Sequence, residues 1–167
     1  MTATDTRTPR TAARTRAAAA ALAATAAGAD LGVKTWANTT LADGPVHLGL
    51  LDLRLAFNPG VAFSLGDTLP AWMVIAFTGA ITVTIGVYAW RTAPQSRASA
   101  AALATILGGA AANLADRAAD GQVTDYLHTG WWPTFNLADV FIVCGGLAAA
   151  ALTWRRTGHN RDQTVAT

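Results

Sequence analysis

The chain has 167 residues, 52% of them hydrophobic and only 13% charged, with a formal net charge of +2 and a mean hydropathy of +0.31. That charged fraction is about half of the roughly 25% usual for soluble domains, and so large an apolar excess in one short domain (residues 1–167) is better explained by lipid-facing helices than by an oversized core. A pI near 9.2 does not point to nucleic acid, because the Arg residues are dispersed at segment ends and no basic patch interleaves with aromatics.

A hydrocarbon core of about 30 Å needs roughly 20 apolar residues as helix. Four stretches meet this requirement to different degrees. The expected fold is therefore an all-α membrane protein, a four-transmembrane-helix bundle with a small extracytoplasmic β element. The first span, about residues 17–36, is mostly Ala and holds Asp30 and Lys34, four apart and so on one helix face. Its Arg14, Arg16 and Ala27-Gly28-Ala29 also resemble a cleavable secretory signal, against which the ionisable pair just beyond argues for a retained helix. In the loop of about residues 37–69, Leu51-Asp52-Leu53-Arg54-Leu55 alternates with the period of a half-buried strand. Asn58-Pro59-Gly60 then reads as a turn.

The second span, about 70–90, runs without interruption from Trp72 to Trp90 with aromatics at both ends. The third, about 98–116, carries Gly108 and Gly109 before Ala110, Ala111 and Ala112, small residues that let helices approach closely in lipid. A second loop, about 117–134, contains a strand candidate at Val123–Leu127. The fourth span, about 135–154, is broken only by Asn136 and Asp139 near its start. Cys144 lies in its apolar run, where a packed thiol is expected.

Arg7, Arg10, Arg14 and Arg16 precede the first span, Arg91 and Arg97 fill the short link between the second and third, and Arg155, Arg156 and Arg161 follow the fourth. All fall on one side of an even-numbered bundle, which makes that side and both termini cytoplasmic. The other side receives Asp43, Asp52, Asp67, Asp120 and Asp125 against Arg54 and Arg117.

The embedded polar residues share one depth. Asp30 and Lys34 lie near the outer end of the first span, Asn113, Asp116 and Arg117 at the outer end of the third, and Asn136 and Asp139 in the first turns of the fourth. Intramembrane charges are costly and mark function or specific pairing. Each has a plainer reading: Asp30–Lys34 as an intrahelical ion pair, Asp116–Arg117 as a helix cap, and Asp139 as a partner of its helix dipole. Convergence of carboxylates and amides from separate helices in one leaflet shifts the balance toward a site. No Glu occurs, so a His-Glu-x-x-His zinc site is impossible. Gly-x-Ser-x-Gly is absent, and Cys144 has no His partner. What is left is acid–base chemistry by paired carboxylates, one ionised and one protonated.

Five segments in order resemble the lipoprotein signal peptidases, also called signal peptidase II. They are Asp30-Leu31-Gly32-Val33-Lys34, Phe57 to Ser64 around Asn58 and Gly60, Gly108 to Arg117, Val123-Thr124-Asp125-Tyr126, and Phe135-Asn136-Leu137-Ala138-Asp139. The resemblance implies a bacterial, multi-pass cell-membrane enzyme with a catalytic dyad of Asp125 and Asp139 at the extracytoplasmic face. Asn58, Gly60, Asn113, Asp116, Arg117 and Asn136 would orient dyad and substrate, with Asp30 and Lys34 supporting the same layer. The implied partners are lipidated prolipoprotein substrates and membrane lipid. No cofactor, metal or nucleic acid is implied, and a monomer could contain every proposed group. Ala112 stands where the family usually has Gly, the Asp125–Asp139 loop is short, and Pro59 replaces a more flexible position. A non-enzymatic transporter or proton-relay bundle, and a scaffold acting through the outer loop, are the alternatives.

Overall fold

The computed structural model describes residues 9–59 and 70–165; Arg7, Gly60, Val61 to Ser64 and Asp67 lie outside the described residues. The order of elements is α1 (Pro9–Thr40), β1 (Val46–His47), β2 (Asp52–Asn58), α2 (Ala71–Thr92), α3 (Arg97–Asp120), β3 (Val123–His128) and α4 (Leu137–Val165). By length and composition, α2, α3 and Leu137–Arg155 of α4 are apolar enough to cross a membrane. Thus the expected spans at about 70–90, 98–116 and 135–154 coincide with helices of that character. The weakest, about 17–36, falls within the 32-residue α1 but is not among these three.

The helices are long because little in their interiors opposes helix, and local chemistry ends them. Ser96 caps α3 by accepting from the Ser99 N–H at 3.3 Å. Gly121, at φ 88°, closes α3 in the left-handed conformation that glycine adopts at no steric cost. α3 therefore runs a full turn past the predicted end at 116. That corrects the outer loop: Arg117 is a buried helical residue, and the connection to β3 begins only after Asp120.

α3 is the central helix and packs on α1, α2 and α4. Glycines permit the closest approaches. A Cβ on Gly108 would lie 2.6 Å from the Ala23 carbonyl oxygen of α1, and one on Gly109 would collide with the Ala138 carbonyl of α4. Gly145 does the same from the α4 side, where a Cβ would meet Ile106 Cγ1 at 2.7 Å. In lipid there is little hydrophobic gain between helices, so such backbone proximity is what holds the bundle. The α1 face that packs inward is Ala23, Ala26, Asp30, Lys34 and Ala37, one stripe at helical spacing. Ala27-Gly28-Ala29 thus lies in the interior of a continuous helix.

The strands form a three-stranded antiparallel sheet ordered β1-β2-β3. β2 extends past the predicted Leu51–Leu55 to Asn58, with an irregularity between Leu53 and Ala56 that resets its register against β3. Ala37, Leu41 and Tyr126 form a small apolar core, flanked by Val33, Leu53, Leu55, Leu127 and Leu137, which fastens the sheet to the ends of α1 and α4. Cys144 is exposed rather than packed, because Gly145, one residue on, is the position that α4 turns toward α3.

Candidate active site

The polar residues of α1, α3, β3 and α4 meet at the end of the bundle that carries the sheet. Lys34 is 2% exposed and Asp30 fully buried. Lys34 Nζ lies 2.9 Å from Asp30 Oδ2 and 3.1 Å from Asp116 Oδ2, and it donates to Asn113 Oδ1 at 2.6 Å. The plain ion-pair reading of Asp30–Lys34 is therefore correct as far as it goes, but the pair is also the hub that joins α1 to α3. A cation shared by two carboxylates and an amide offsets a desolvation penalty that one partner alone would not.

Asp30 reaches the sheet and α4 as well. Its Oδ1 accepts from the Tyr126 hydroxyl at 3.2 Å and from the Ala138 N–H at 2.9 Å. Tyr126 in turn accepts from the Leu137 N–H at 3.0 Å. Burial, foremost, pushes the Tyr126 phenol well above its ordinary range, so it acts as a neutral donor. Asp116 caps no helix; its Oδ2 accepts from the Thr124 N–H at 2.7 Å and so ties α3 to β3.

Asp125 is brought in by strand geometry. Ala56 pairs with Asp125 and Asn58 with Val123, so Asn58 and Asp125 are diagonal neighbours on one face of the sheet. Asn58 Nδ2 donates to Asp125 Oδ2 at 3.4 Å. Asp139 is brought in by helix capping. Asn136 Oδ1 accepts from the Asp139 N–H at 3.0 Å, and Asp139 Oδ2 accepts from the Asn136 N–H at 3.2 Å, a reciprocal N-terminal box. The dipole reading of Asp139 and its site reading thus describe the same placement. From α3, Asn113 Nδ2 donates to Asp139 Oδ1 at 2.9 Å.

Asn136, fully buried, joins the two acids. While its backbone and Oδ1 hold Asp139, its Nδ2 donates to Asp125 Oδ1 at 2.6 Å. Burial raises the Asp125 carboxyl to about 6, and the Asp139 charge adds to the effect against the opposing amide donors Asn136 and Asn58. Arg117 is buried with its Nε unpartnered among the described residues, and its guanidinium interacts electrostatically with Asp125, Asp116 and Asp139. Among the described residues no group of three or more His, Cys, Asp or Glu side chains is arranged to hold a metal.

Of the sequence-derived site residues, Asp30, Lys34, Asn58, Asn113, Asp116, Arg117, Asp125, Asn136 and Asp139 gather in this one network, and Gly60 is outside the described residues. Tyr126 and Asn38 were missed as site residues. Asn38 donates to Thr124 Oγ1 at 3.5 Å. The phenol beside Asp125 in a short strand was a signal for Tyr126; nothing marked Asn38. An apolar cavity of about 420 Å³ opens beside Asp139, walled by Trp131, Trp132, Phe135, Val140 and Val143.

Residues 22–155 match the family model described as signal peptidase (SPase) II. The chain is 38% identical over 133 residues to a lipoprotein signal peptidase of Rhodococcus jostii (strain RHA1), covering 74% of this chain and 66% of that protein. It is 42% identical over 101 residues to one of Syntrophomonas wolfei, 59% of this chain and 65% of that protein. These matches span just under two thirds of the two relatives' own lengths. A third, from Cellvibrio japonicus, is 34% identical over 131 residues and is covered to 77% of its length. A bacterial membrane enzyme solved by the in meso method at 2.3 Å superposes with a TM-score of 0.72 at 20% identity, over 86% of this chain and 91% of that one, a likeness of fold. With three helices among the described residues long and apolar enough to cross a membrane, and a family model matching most of its length, the chain is a bacterial membrane protein that belongs to the signal peptidase II family.

Proposed function

We propose that the chain is an intramembrane aspartyl endopeptidase that removes the signal peptide of diacylglyceryl-modified prolipoproteins, cutting just before the lipidated Cys. One observation carries this reading: Asp125 and Asp139, delivered by a strand and a helix start, are held by the same buried residue, Asn136. In the mechanism, the ionised carboxylate takes a proton from a water that attacks the scissile carbonyl. The protonated carboxyl hydrogen-bonds the developing oxyanion and passes its proton to the leaving amine. A buried carboxyl at about 6 keeps its proton to higher pH than an ordinary aspartate does. Asn113, Asn58 and Asn136 fix the carboxylates, while Arg117 supplies positive charge beside both.

α1 serves as the fourth span. It presents its polar residues to the same network as α3 and α4 and packs along α3. Arg10, Arg14 and Arg16 in the first turns of α1, Arg91 at the end of α2, Arg97 at the start of α3 and Arg155 in α4 support a cytoplasmic location for that side and both termini. The sheet and the dyad then face the extracytoplasmic side, where the substrate's acyl chains can stay in the bilayer. One copy contains every group named, so a monomer suffices. A proton-relay bundle would need ionisable groups through the membrane depth, whereas here they crowd one end.

The test is cleavage of a purified precursor with and without the diacylglyceryl group, read by mass spectrometry. A product beginning at the lipidated Cys, formed only from the modified precursor, is expected. Cleavage elsewhere, or equal cleavage of the unmodified precursor, contradicts the assignment.

A further inference from the structure

The α4 surface carries two adjacent stripes of opposite character. Val143, Leu147 and Trp154 are large and exposed, as Phe77, Ile81 and Val83 are on α2, the ordinary dress of a lipid-facing helix. Beside them Cys144, Ala148 and Ala151 are also exposed but small. With Val140 and Arg155 they follow spacings of four, four, three and four, which is one continuous helix face. Across from them α3 contributes Ala98 and Ala101, again exposed and small. Between these walls lies a trough of about 510 Å³ running to Arg155. Its upper end meets the cavity beside Asp139 at Cys144, which lines both.

The two hollows therefore form one path that begins at Asp139 and ends at Arg155. At about 1.5 Å per residue the 16 intervening steps cover roughly 24 Å. An apolar signal-sequence core of roughly 7–15 residues, wound as a helix of about 10–22 Å, fits within that length. Close helix packing in lipid requires small side chains. The lower trough, lined chiefly by small residues where neighbouring lipid faces carry Phe, Ile and Val, suits a packed helix better than loose acyl chains. Continuity with the dyad identifies the helix: it must end where the scissile bond lies.

We infer that the α3–α4 trough is the docking face for the signal-peptide helix of the substrate, a specificity surface separate from the dyad. This rests on the peptidase activity proposed above. The bound helix runs antiparallel to α4, its cleavage end at Asp139 and its basic leading segment leaving the trough at Arg155, at the inner headgroups. About five residues before the cut it passes Cys144.

Two measurements test this. The first compares wild type with Ala148→Phe on a full-length lipidated precursor and on a short lipopeptide that lacks the apolar core. The expected result is a KM raised about tenfold or more for the precursor, with the lipopeptide's kcat/KM unchanged. Equal behaviour of the two enzymes on both substrates, or equal losses on both, overturns the trough. The second uses Cys144, the sole cysteine, in the Asp125→Asn background, so that no turnover is needed. A precursor with one added cysteine five residues before the cut is expected to form a disulfide with Cys144 under mild oxidation, and one with the cysteine two residues further along is not. No crosslink, or equal crosslinking at both positions, refutes the docking face. Failure of wild type to cut the full-length lipidated precursor at all would instead refute the peptidase reading, whereas the crosslink reads docking without turnover.

Discussion

Replacing Asp125 by Asn keeps the side chain's size and removes its charge, so the variant isolates what burying that charge costs the fold. Asp125 is 3% exposed, and its carboxyl is raised from 3.8 to about 6 by burial first and by Asp139 second. Well below pH 4 the carboxyl is neutral in both folded and unfolded chains, and ionisation contributes nothing. Above about pH 6 it is ionised in both, and holding the charge in the folded protein costs roughly 3 kcal/mol, at 1.36 kcal/mol per pKa unit. Stability of the wild type is therefore lost as pH rises from 4 to 6, the opposite of a salt-bridged aspartate. The Asn variant escapes this loss. It keeps the short acceptor contact to Asn136 Nδ2 at 2.6 Å but turns an NH₂ toward Asn58 Nδ2, 3.4 Å from the replaced oxygen, at about 1 kcal/mol. Asp125→Asn is thus expected to be about 1 kcal/mol less stable than wild type at pH 4 and about 2 kcal/mol more stable at pH 8. Denaturant unfolding in detergent micelles across that range reads the difference directly. A difference that stays flat with pH, or that moves toward the wild type as pH rises, refutes the buried-carboxyl account.

Lys34→Met leaves Asp30 and Asp116 without their shared cation and is expected to cost about 3–5 kcal/mol in the same unfolding assay; a loss under about 1 kcal/mol would make the network ornamental. Gly109→Ala drives a methyl into the Ala138 carbonyl and should lower stability by about 1–3 kcal/mol. Gly79→Ala, whose Cβ meets only Leu114 at 3.9 Å, should be neutral or gain up to about 1 kcal/mol; melting temperatures of the pair check the contrast. If Asp125 carries the dyad's proton, kcat/KM falls by roughly tenfold per pH unit once pH exceeds about 6. A rate that climbs between pH 6 and 8 means the proton sits elsewhere.

Most of the site was legible because its members obey helical spacing. Asp30 and Lys34, Asn113 and Asp116, and Asn136 and Asp139 each share a helix face, and span length set them at one depth. What sequence could not reveal depended on contacts from far along the chain. Tyr126 owes its role to Asp30 and Asn38 to Thr124, neither near in sequence. β2 was read too short because its register shifts between Leu53 and Ala56, which breaks the alternation that marks a strand. β1 is only two residues long and leaves no pattern to find. α3 was ended early because Asp116 and Arg117 look like a membrane boundary, although the left-handed glycine that stops the helix lies at 121. Cys144 was misread because an apolar run does not reveal which helix face meets a neighbour. That face is set by Gly145 against α3.

Single-turnover cleavage of a lipidated precursor by Asp125→Asn and Asp139→Asn, each first confirmed as folded, puts the two carboxylates to the most direct trial. Each change is expected to slow cleavage by roughly a thousandfold or more, with the double variant little worse than either single one, as for groups that act as a unit. Near-normal processing by either single variant would contradict a shared carboxylate dyad at Asn136.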